Sequence, residues 1–206
     1  MSEVVILADG EFPRSEKLLS KLQNARQIIC CDGAADKLLT LDLEPSWIVG
    51  DLDSVSAETK KRFADRMVHF CEQETNDLAK AFRFCRKNSL CPDAVLGASG
   101  AREDHQLGNL SRFAEAAVAF PDCKLYTDYG YFCVFSKSRT FSGTPGGQVS
   151  IFSFDPTQQI TSSGLKYPLQ NLQLSWWHSG TLNEIAAEKF HLECSTATPV
   201  LVFFAN

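Results

Sequence analysis

Gln27-Ile28-Ile29-Cys30-Cys31-Asp32-Gly33-Ala34-Ala35-Asp36-Lys37-Leu38-Leu39-Thr40-Leu41 holds a short apolar run, an acidic turn and a helical pattern in immediate succession. An unbroken apolar run closed by Asp-Gly suits a strand buried on both faces. The stretch therefore predicts a strand at Gln27–Cys31 and a helix at Ala34–Leu41. The same unit recurs on either side. Further apolar runs stand at Val4–Ala8, Trp47–Val49, Met67–Phe70, Ala94–Gly97 and Lys124–Thr127. Helical patterns lie between them, near Arg14–Gln23, Ala57–Ala64, Asp77–Arg86 and Asp104–Ala119. In the helix from Asp77, Leu78, Ala81, Phe82 and Cys85 share one face, and Lys80, Arg83 and Arg86 fall elsewhere. Thr75, Asn76 and Asp77 mark its start. Short strands alternating with helices predict an α/β fold, a parallel sheet covered by helices on both faces.

The pattern changes after about Ser136. Thr144-Pro145-Gly146-Gly147 is turn chemistry. Short strand-like runs follow at Gln148–Phe154, Gln159–Thr161, Leu172–Leu174, Glu188–Glu193 and Pro199–Phe204. Their spacing predicts a small all-β sandwich domain. The expected organisation is an α/β domain over 1–136 followed by a β domain over 145–206.

The chain carries 20 Lys and Arg against 25 Asp and Glu, a net charge of −5. No basic excess is present to neutralise a nucleic-acid backbone, so nucleic acid is not an expected partner. A hydrophobic share of 44% excludes a disordered chain. No apolar stretch reaches the length of a membrane span, so no membrane partner is expected. The start Met1-Ser2-Glu3 lacks the basic region of a secretory signal. The eight cysteines form no Cys-x-x-Cys pair, and several sit in apolar runs. They read as buried reduced thiols, and the expected location is cytoplasmic.

The acidic residues fall at the ends of the strand-like runs. Asp9, Asp32, Asp51 with Asp53, Asp77, Asp104 and Asp128 each follow one. A parallel sheet brings its C-terminal strand ends to one edge, where ligands bind. Asp after a strand also makes turns and caps helices, but the pair in Gly50-Asp51-Leu52-Asp53-Ser54 asks for more. In an extended Asp-x-Asp both side chains point the same way. Two such charges repel unless a cation joins them. Carboxylates without thiolates or clustered imidazoles suit a hard ion, Mg2+ where phosphates are handled. Gly97-Ala98-Ser99-Gly100-Ala101-Arg102-Glu103-Asp104-His105 supplies the opposite charge. Its glycines allow a tight turn with exposed N–H groups at a helix start, and Arg102 can grip phosphate. His105 either donates to a phosphate or orients Asp104. Neither a P-loop nor a dinucleotide glycine motif occurs. The residues thus describe a Mg2+–nucleotide phosphate site.

Asp32-Gly33-Ala34, Gly50-Asp51-Leu52-Asp53-Ser54, Gln73-Glu74-Thr75-Asn76-Asp77 and the loop 97–105 occur here in one order. Ser163-Gly164-Leu165-Lys166-Tyr167-Pro168-Leu169 and Gly180-Thr181-Leu182-Asn183-Glu184 follow. In these motifs the chain resembles the thiamine pyrophosphokinase family over nearly its whole length. The resemblance implies transfer of pyrophosphate from ATP to the hydroxyl of thiamine, giving thiamine diphosphate and AMP. It implies Mg2+ dependence and a homodimer, with thiamine held near the subunit boundary by the second domain. Position by position, it makes Asp51, Asp53 and Asp77 the metal and catalytic carboxylates. Asp32, Arg102, Asp104 and His105 become the ATP-phosphate side. Gln73, Ser163, Leu165, Tyr167 and Asn183 become the thiamine side, with Tyr167 stacked on the pyrimidine. Leu182 stands where many members carry Ser, Asn76 where members often carry Thr, and Tyr167 where some carry Trp. Two other readings compete. A haloacid-dehalogenase-type phosphohydrolase also uses Asp-x-Asp after a strand, and a non-catalytic module could bind nucleotide or thiamine.

Overall fold

The computed structural model describes residues 3–72 and 74–206. The chain forms two compact units, one running to Ala116 and including Asp122–Asp128, the other made of Ala117–Pro121 and Tyr129–Asn206.

The first unit alternates strands and helices: β1 (Val4–Leu7), α1 (Glu16–Gln23), β2 (Gln27–Cys31), α2 (Ala34–Leu39), β3 (Trp47–Gly50), α3 (Ala57–Arg62), β4 (Met67–His69), α4 (Asp77–Lys87), β5 (Ala94–Leu96), α5 (Glu103–Ala116) and β6 (Lys124–Thr127). Its strands pair in parallel in the order β6-β5-β1-β2-β3-β4. Ile6 sits in register with Ile29 and Val95, and Cys30 with Ile48. All four residues of β1 are buried. Successive strand side chains point to opposite faces, so both faces of β1 are shielded from water. Val5, Leu7, Ile28, Cys30 and Ile48 pack with Leu18 and Leu22 of α1 and with Ala34, Ala35 and Leu38 of α2. Each large side chain buried there contributes about 1.5–3 kcal/mol. Ser56 and Asn76 cap α3 and α4 by accepting the N–H of Thr59 and Ala79, at 3.2 and 3.1 Å. The strands consequently end together, at Leu7, Cys31, Gly50, His69 and Leu96, and the turns after them carry the acidic residues.

The second unit is antiparallel: β7 (Gly130–Phe135), β8 (Ser138–Ser142), β9 (Gln148–Ser153), β10 (Gln159–Ser163), β11 (Leu172–Gln173), β12 (Asn183–Glu184), β13 (Lys189–Cys194) and β14 (Val200–Ala205). One set runs β12-β9-β14-β7, and a 4-stranded sheet runs β11-β10-β13-β8. Inward residues of both sets share one core, including Phe135, Phe141, Ile151, Ile160, Phe190, Leu192 and Val202. Phe141 and Phe190 stack at 5.1 Å in its centre. The fold is thus mixed α/β, with a large sheet and a smaller antiparallel one.

Two details differ from the sequence reading. β7 lies within its first domain, yet pairs along its whole length with β14 in the second unit. A partner that distant in sequence leaves no local signal. β8 and β12 were not among the expected strands. β8 presents only Phe141 to the core, and β12 spans two residues. Among the described residues, no helix is long and apolar enough to cross a membrane.

Candidate active site

The strand ends of the first unit open onto a cleft of about 500 Å3 lined by Asp9, Asp32, Ser54, Asn76, Asp77, Arg102, Asp104, His105 and Asn109, among others. Three non-glycine residues at or beside it have left-handed backbone: Asp32 (φ 46°), Leu52 (φ 63°) and Ala101 (φ 61°). Each costs about 1–2 kcal/mol, and such strain collects where a site needs a fixed shape.

Asp32 ends the β2 turn and is 2% exposed. Its Oδ2 accepts from the hydroxyl and N–H of Ser54, at 2.8 and 3.3 Å. Its Oδ1 is buried without a hydrogen-bond partner. Burial lifts the carboxyl to about 6 against the Ser54 bonds, with help from Asp53 and Asp77. The acids Asp32, Asp51 and Asp53 bring one oxygen each to within 4.8 Å of one another. Asp51 and Asp53 do converge, but not as an extended strand. β3 ends at Gly50, and the positive φ at Leu52 folds the segment so that the Asp53 N–H points back to Asp51 Oδ1, at 3.4 Å. Asp53 is exposed, and the Ser54 hydroxyl, followed by Asp32, holds it below the usual carboxylate range.

Asp77 opens α4 beside them. A Cβ built on Gly50 would lie 3.1 Å from Asp32 Cβ and 3.3 Å from Asp77 Oδ1, so the bare backbone of Gly50 lets the two acids approach. Asp77 Oδ1 accepts from the Lys80 ammonium at 2.9 Å, and Asp51 Oδ2 lies 3.9 Å from the same nitrogen. Lys80 is 2% exposed. Burial pulls its ammonium down, yet Asp77 and Asp51 prevail and hold it above its ordinary value. The helical pattern of α4 sets Lys80 off its apolar face, so periodicity alone gives it no role. The signal available was the i, i+3 spacing of Asp77 and Lys80 at a helix start.

On the facing loop, Gly97 and Gly100 take positive φ as their types allow. Arg102 donates to both oxygens of Asp104, which also accepts the His105 N–H, at 2.9 Å. The guanidinium brings Asp104 down to about 2. Asn109, absent from the sequence reading, joins loop to helix: its Nδ2 donates to Ala98 O at 3.0 Å and its Oδ1 accepts from Asn76 at 2.9 Å. Of the other strand-end acids, Asp9 pairs with Lys37 at 2.8 Å. Asp128 accepts the N–H groups of Arg14 and Ser15 at the start of α1, a capping role.

The second-unit residues gather around one turn. Ser163 ends β10 and is exposed, and Leu165 is buried in the core opposite Ile185. Tyr167 is 58% exposed. Asn183 is buried and holds the Tyr167 backbone through two hydrogen bonds. Leu182, at φ 59°, is exposed. Gln73 lies outside the described residues.

Residues 18–127 match the thiamin pyrophosphokinase catalytic domain, and residues 130–203 the thiamin pyrophosphokinase substrate-binding domain. Thiamine pyrophosphokinase 1 of Oryza sativa subsp. japonica is 25% identical, covering 84% of this chain and 75% of its own. Thiamin pyrophosphokinase 1 of Caenorhabditis elegans is 24% identical, covering 89% and 80%. Among solved structures, thiamine pyrophosphokinase from Bacillus subtilis superposes with a TM-score of 0.77 at 20% identity, covering 100% of this chain and 99% of that one. The yeast enzyme gives 0.75 at 15% identity, covering 98% and 86%. With both family domains matched in order around the two units described above, the chain belongs to the thiamin pyrophosphokinase family.

Proposed function

We propose that the acidic strand-end cluster of the first unit transfers pyrophosphate from ATP to the hydroxyl of thiamine, releasing thiamine diphosphate and AMP. The observation that carries this reading is the convergence of Asp32, Asp51 and Asp53 within the matched catalytic domain. Buried β1 and β2 support a parallel sheet covered by helices on both faces, which leaves its C-terminal edge as the open side. The competing readings are weaker. Asp51-Leu52-Asp53 follows the third strand, whereas a dehalogenase-type nucleophile motif closes the first. A pure binding module needs no such acidic set.

The donor set fits a hard divalent cation: carboxylate oxygens only, one of them buried without a partner. Asp32, Asp51 and Asp53 would hold it, Mg2+ in this reading, with Asp77 beside them. When bound, it supplies charge neutralisation at the phosphates. The chain's own residues do the rest. The N–H groups of the 97–102 loop and the Arg102 guanidinium receive phosphate oxygens. Asp104 orients Arg102 until phosphate competes for it. The thiamine hydroxyl oxygen attacks the β-phosphorus, the bond from that phosphorus to the α–β bridging oxygen breaks, and AMP leaves. The hydroxyl proton passes to Asp53 or Asp77. Positioning and charge supply most of the acceleration.

The second unit, in this reading, binds thiamine, with Tyr167 stacked on the pyrimidine and Ser163, Leu165 and Asn183 shaping the pocket at a homodimer boundary. The protein works in the cytoplasm, a reading supported by free thiols at Cys30, Cys31, Cys85, Cys123, Cys133 and Cys194, all buried. Incubation with Mg2+, ATP and thiamine should yield AMP and thiamine diphosphate in equal amounts, and EDTA should stop both. Free phosphate in place of AMP would point instead to a phosphohydrolase.

A further inference from the structure

We propose that Lys80 is a positioning residue of this acidic site, fixing Asp77 and Asp51 for pyrophosphate transfer and shielding the cation-binding acids from one another. The inference rests on the pyrophosphokinase reading above. Its ground is geometric. Four carboxylates, those of Asp32, Asp51, Asp53 and Asp77, crowd the ends of β2 and β3 and the start of α4. Lys80 brings to them a cation from within the fold. Its side chain is 3% exposed, and its ammonium sits 2.9 Å from Asp77 Oδ1 and 3.9 Å from Asp51 Oδ2.

A lysine is rarely buried to this extent unless it is paired, and removing its partners leaves an uncompensated charge. The pairing has a direction. Asp77 is half-buried at the first position of α4, where its backbone is set by the Asn76 cap and its side chain by Lys80. Asp77 Oδ1 thus has its bearing fixed by Lys80, and Asp77 itself lines the cleft. Lys80 has almost no surface open to a ligand. It therefore acts through Asp77 and Asp51, with no substrate contact of its own. The same ammonium opposes any cation drawn to Asp51, so it weakens ion binding while ordering the acids that use the ion.

The test is Lys80→Met, which keeps the length of the side chain and removes its charge. Thermal unfolding is followed alongside kcat, both KM values, and Mn2+ binding to the nucleotide-free protein. A positioning role predicts a fall in kcat of about 10–100-fold, as when a partner orienting a ligand is removed. KM for thiamine and ATP should hold within a few-fold, and Mn2+ affinity should rise because a neighbouring positive charge has gone. A merely structural lysine would lower the melting temperature and Mn2+ affinity together, and that result overturns the proposal. A higher KM for ATP at unchanged kcat would make Lys80 a phosphate contact and overturn it too.

If Lys80→Met does not fold, Asp77→Asn and the Asp77→Asn/Lys80→Met double variant decide the matter, since the double variant removes charge and countercharge together. Acting through Asp77, Lys80→Met costs little further kcat once Asp77→Asn is present. A double variant at least ~10-fold slower than Asp77→Asn overturns the proposal. Wild-type protein that forms no AMP from ATP and thiamine overturns the functional reading itself. An active wild type with an equally active Lys80→Met variant overturns only the role of Lys80.

Discussion

The Asn183 side chain closes a two-way hydrogen bond on the backbone of Tyr167: Nδ2 donates to the Tyr167 carbonyl at 2.7 Å, and Oδ1 accepts the Tyr167 N–H at 3.2 Å. A buried amide thereby fixes the stem of an exposed aromatic ring. Tyr167→Ala is expected to raise KM for thiamine roughly 10-fold, since stacking of this kind contributes about 0.5–1.5 kcal/mol beyond the area it buries. KM for ATP and the melting temperature should stay close to wild type. A change in KM for ATP alone would remove the second unit from thiamine binding. Asn183→Ala should raise KM for thiamine as well, and also destabilise the unit by about 1–3 kcal/mol through two backbone groups left unpaired, measurable by urea unfolding.

Asp53 is exposed, and among the described residues its side chain bonds to Ser54 and lies beside its acidic neighbours. Asp53→Asn should therefore leave the melting temperature within about a degree while lowering kcat by ~100-fold or more. Normal turnover that still requires Mg2+ would take Asp53 out of the reaction.

Gly50→Ala tests the spacing of the acids without touching any of them. The added methyl meets Asp32 Cβ at 3.1 Å and Asp77 Oδ1 at 3.3 Å. Those side chains have to yield by a few tenths of an ångström, and misplacement on that scale costs rate before it costs fold. A kcat loss of about 10-fold is expected, with the far-UV circular dichroism spectrum unchanged. Equal kcat would mean that the separation of Asp32 and Asp77 is not critical.

Asp36 ties α2 to the start of α3. It accepts the N–H and hydroxyl of Ser56 at 2.9 and 2.6 Å, and the Thr59 hydroxyl at 2.5 Å. Partial burial pushes its carboxyl up, but the Ser56 and Thr59 donors outweigh that and leave it below its ordinary value. A depressed carboxyl stabilises the fold above its unfolded value, about 3.9. That contribution is lost as pH falls through the lower folded value. Asp36→Asn should accordingly cost about 1–2 kcal/mol at pH 7, and the gap to wild type should narrow at pH 2. Urea unfolding at both pH values measures it, and a gap of the same size at pH 2 would assign the loss to packing.

The strands of the first unit were legible because each is a short apolar run closed by a turn residue, and the signal needs no distant partner. Ile28, Ile29 and Cys30 announce β2 by themselves. The pairing of Asp51 with Asp53 was legible too, although its cause was not. A left-handed Leu52 brings the two together, and no propensity predicts that conformation for leucine. Lys80 escaped notice because helical periodicity sorts residues into apolar and polar faces, and a buried charge belongs to neither. β8 escaped because Ser138, Thr140 and Ser142 face solvent at least in part and one phenylalanine carries the strand. Long-range pairing explains the rest, as with β7, whose partner β14 begins at Val200.

That last pairing bears on how the protein is made. β14 lies between β7 and β9 and bonds to both. On the ribosome, therefore, β7 and β9 emerge with open edges that residues 200–205 later fill. At ~5–20 residues per second the nascent chain carries an unfinished sheet for several seconds after Phe135 is added. The first unit, whose strands find their partners earlier, can fold ahead of it. The second half of the protein is thus the part most exposed to wrong pairing during synthesis, and the part for which a chaperone has most to do.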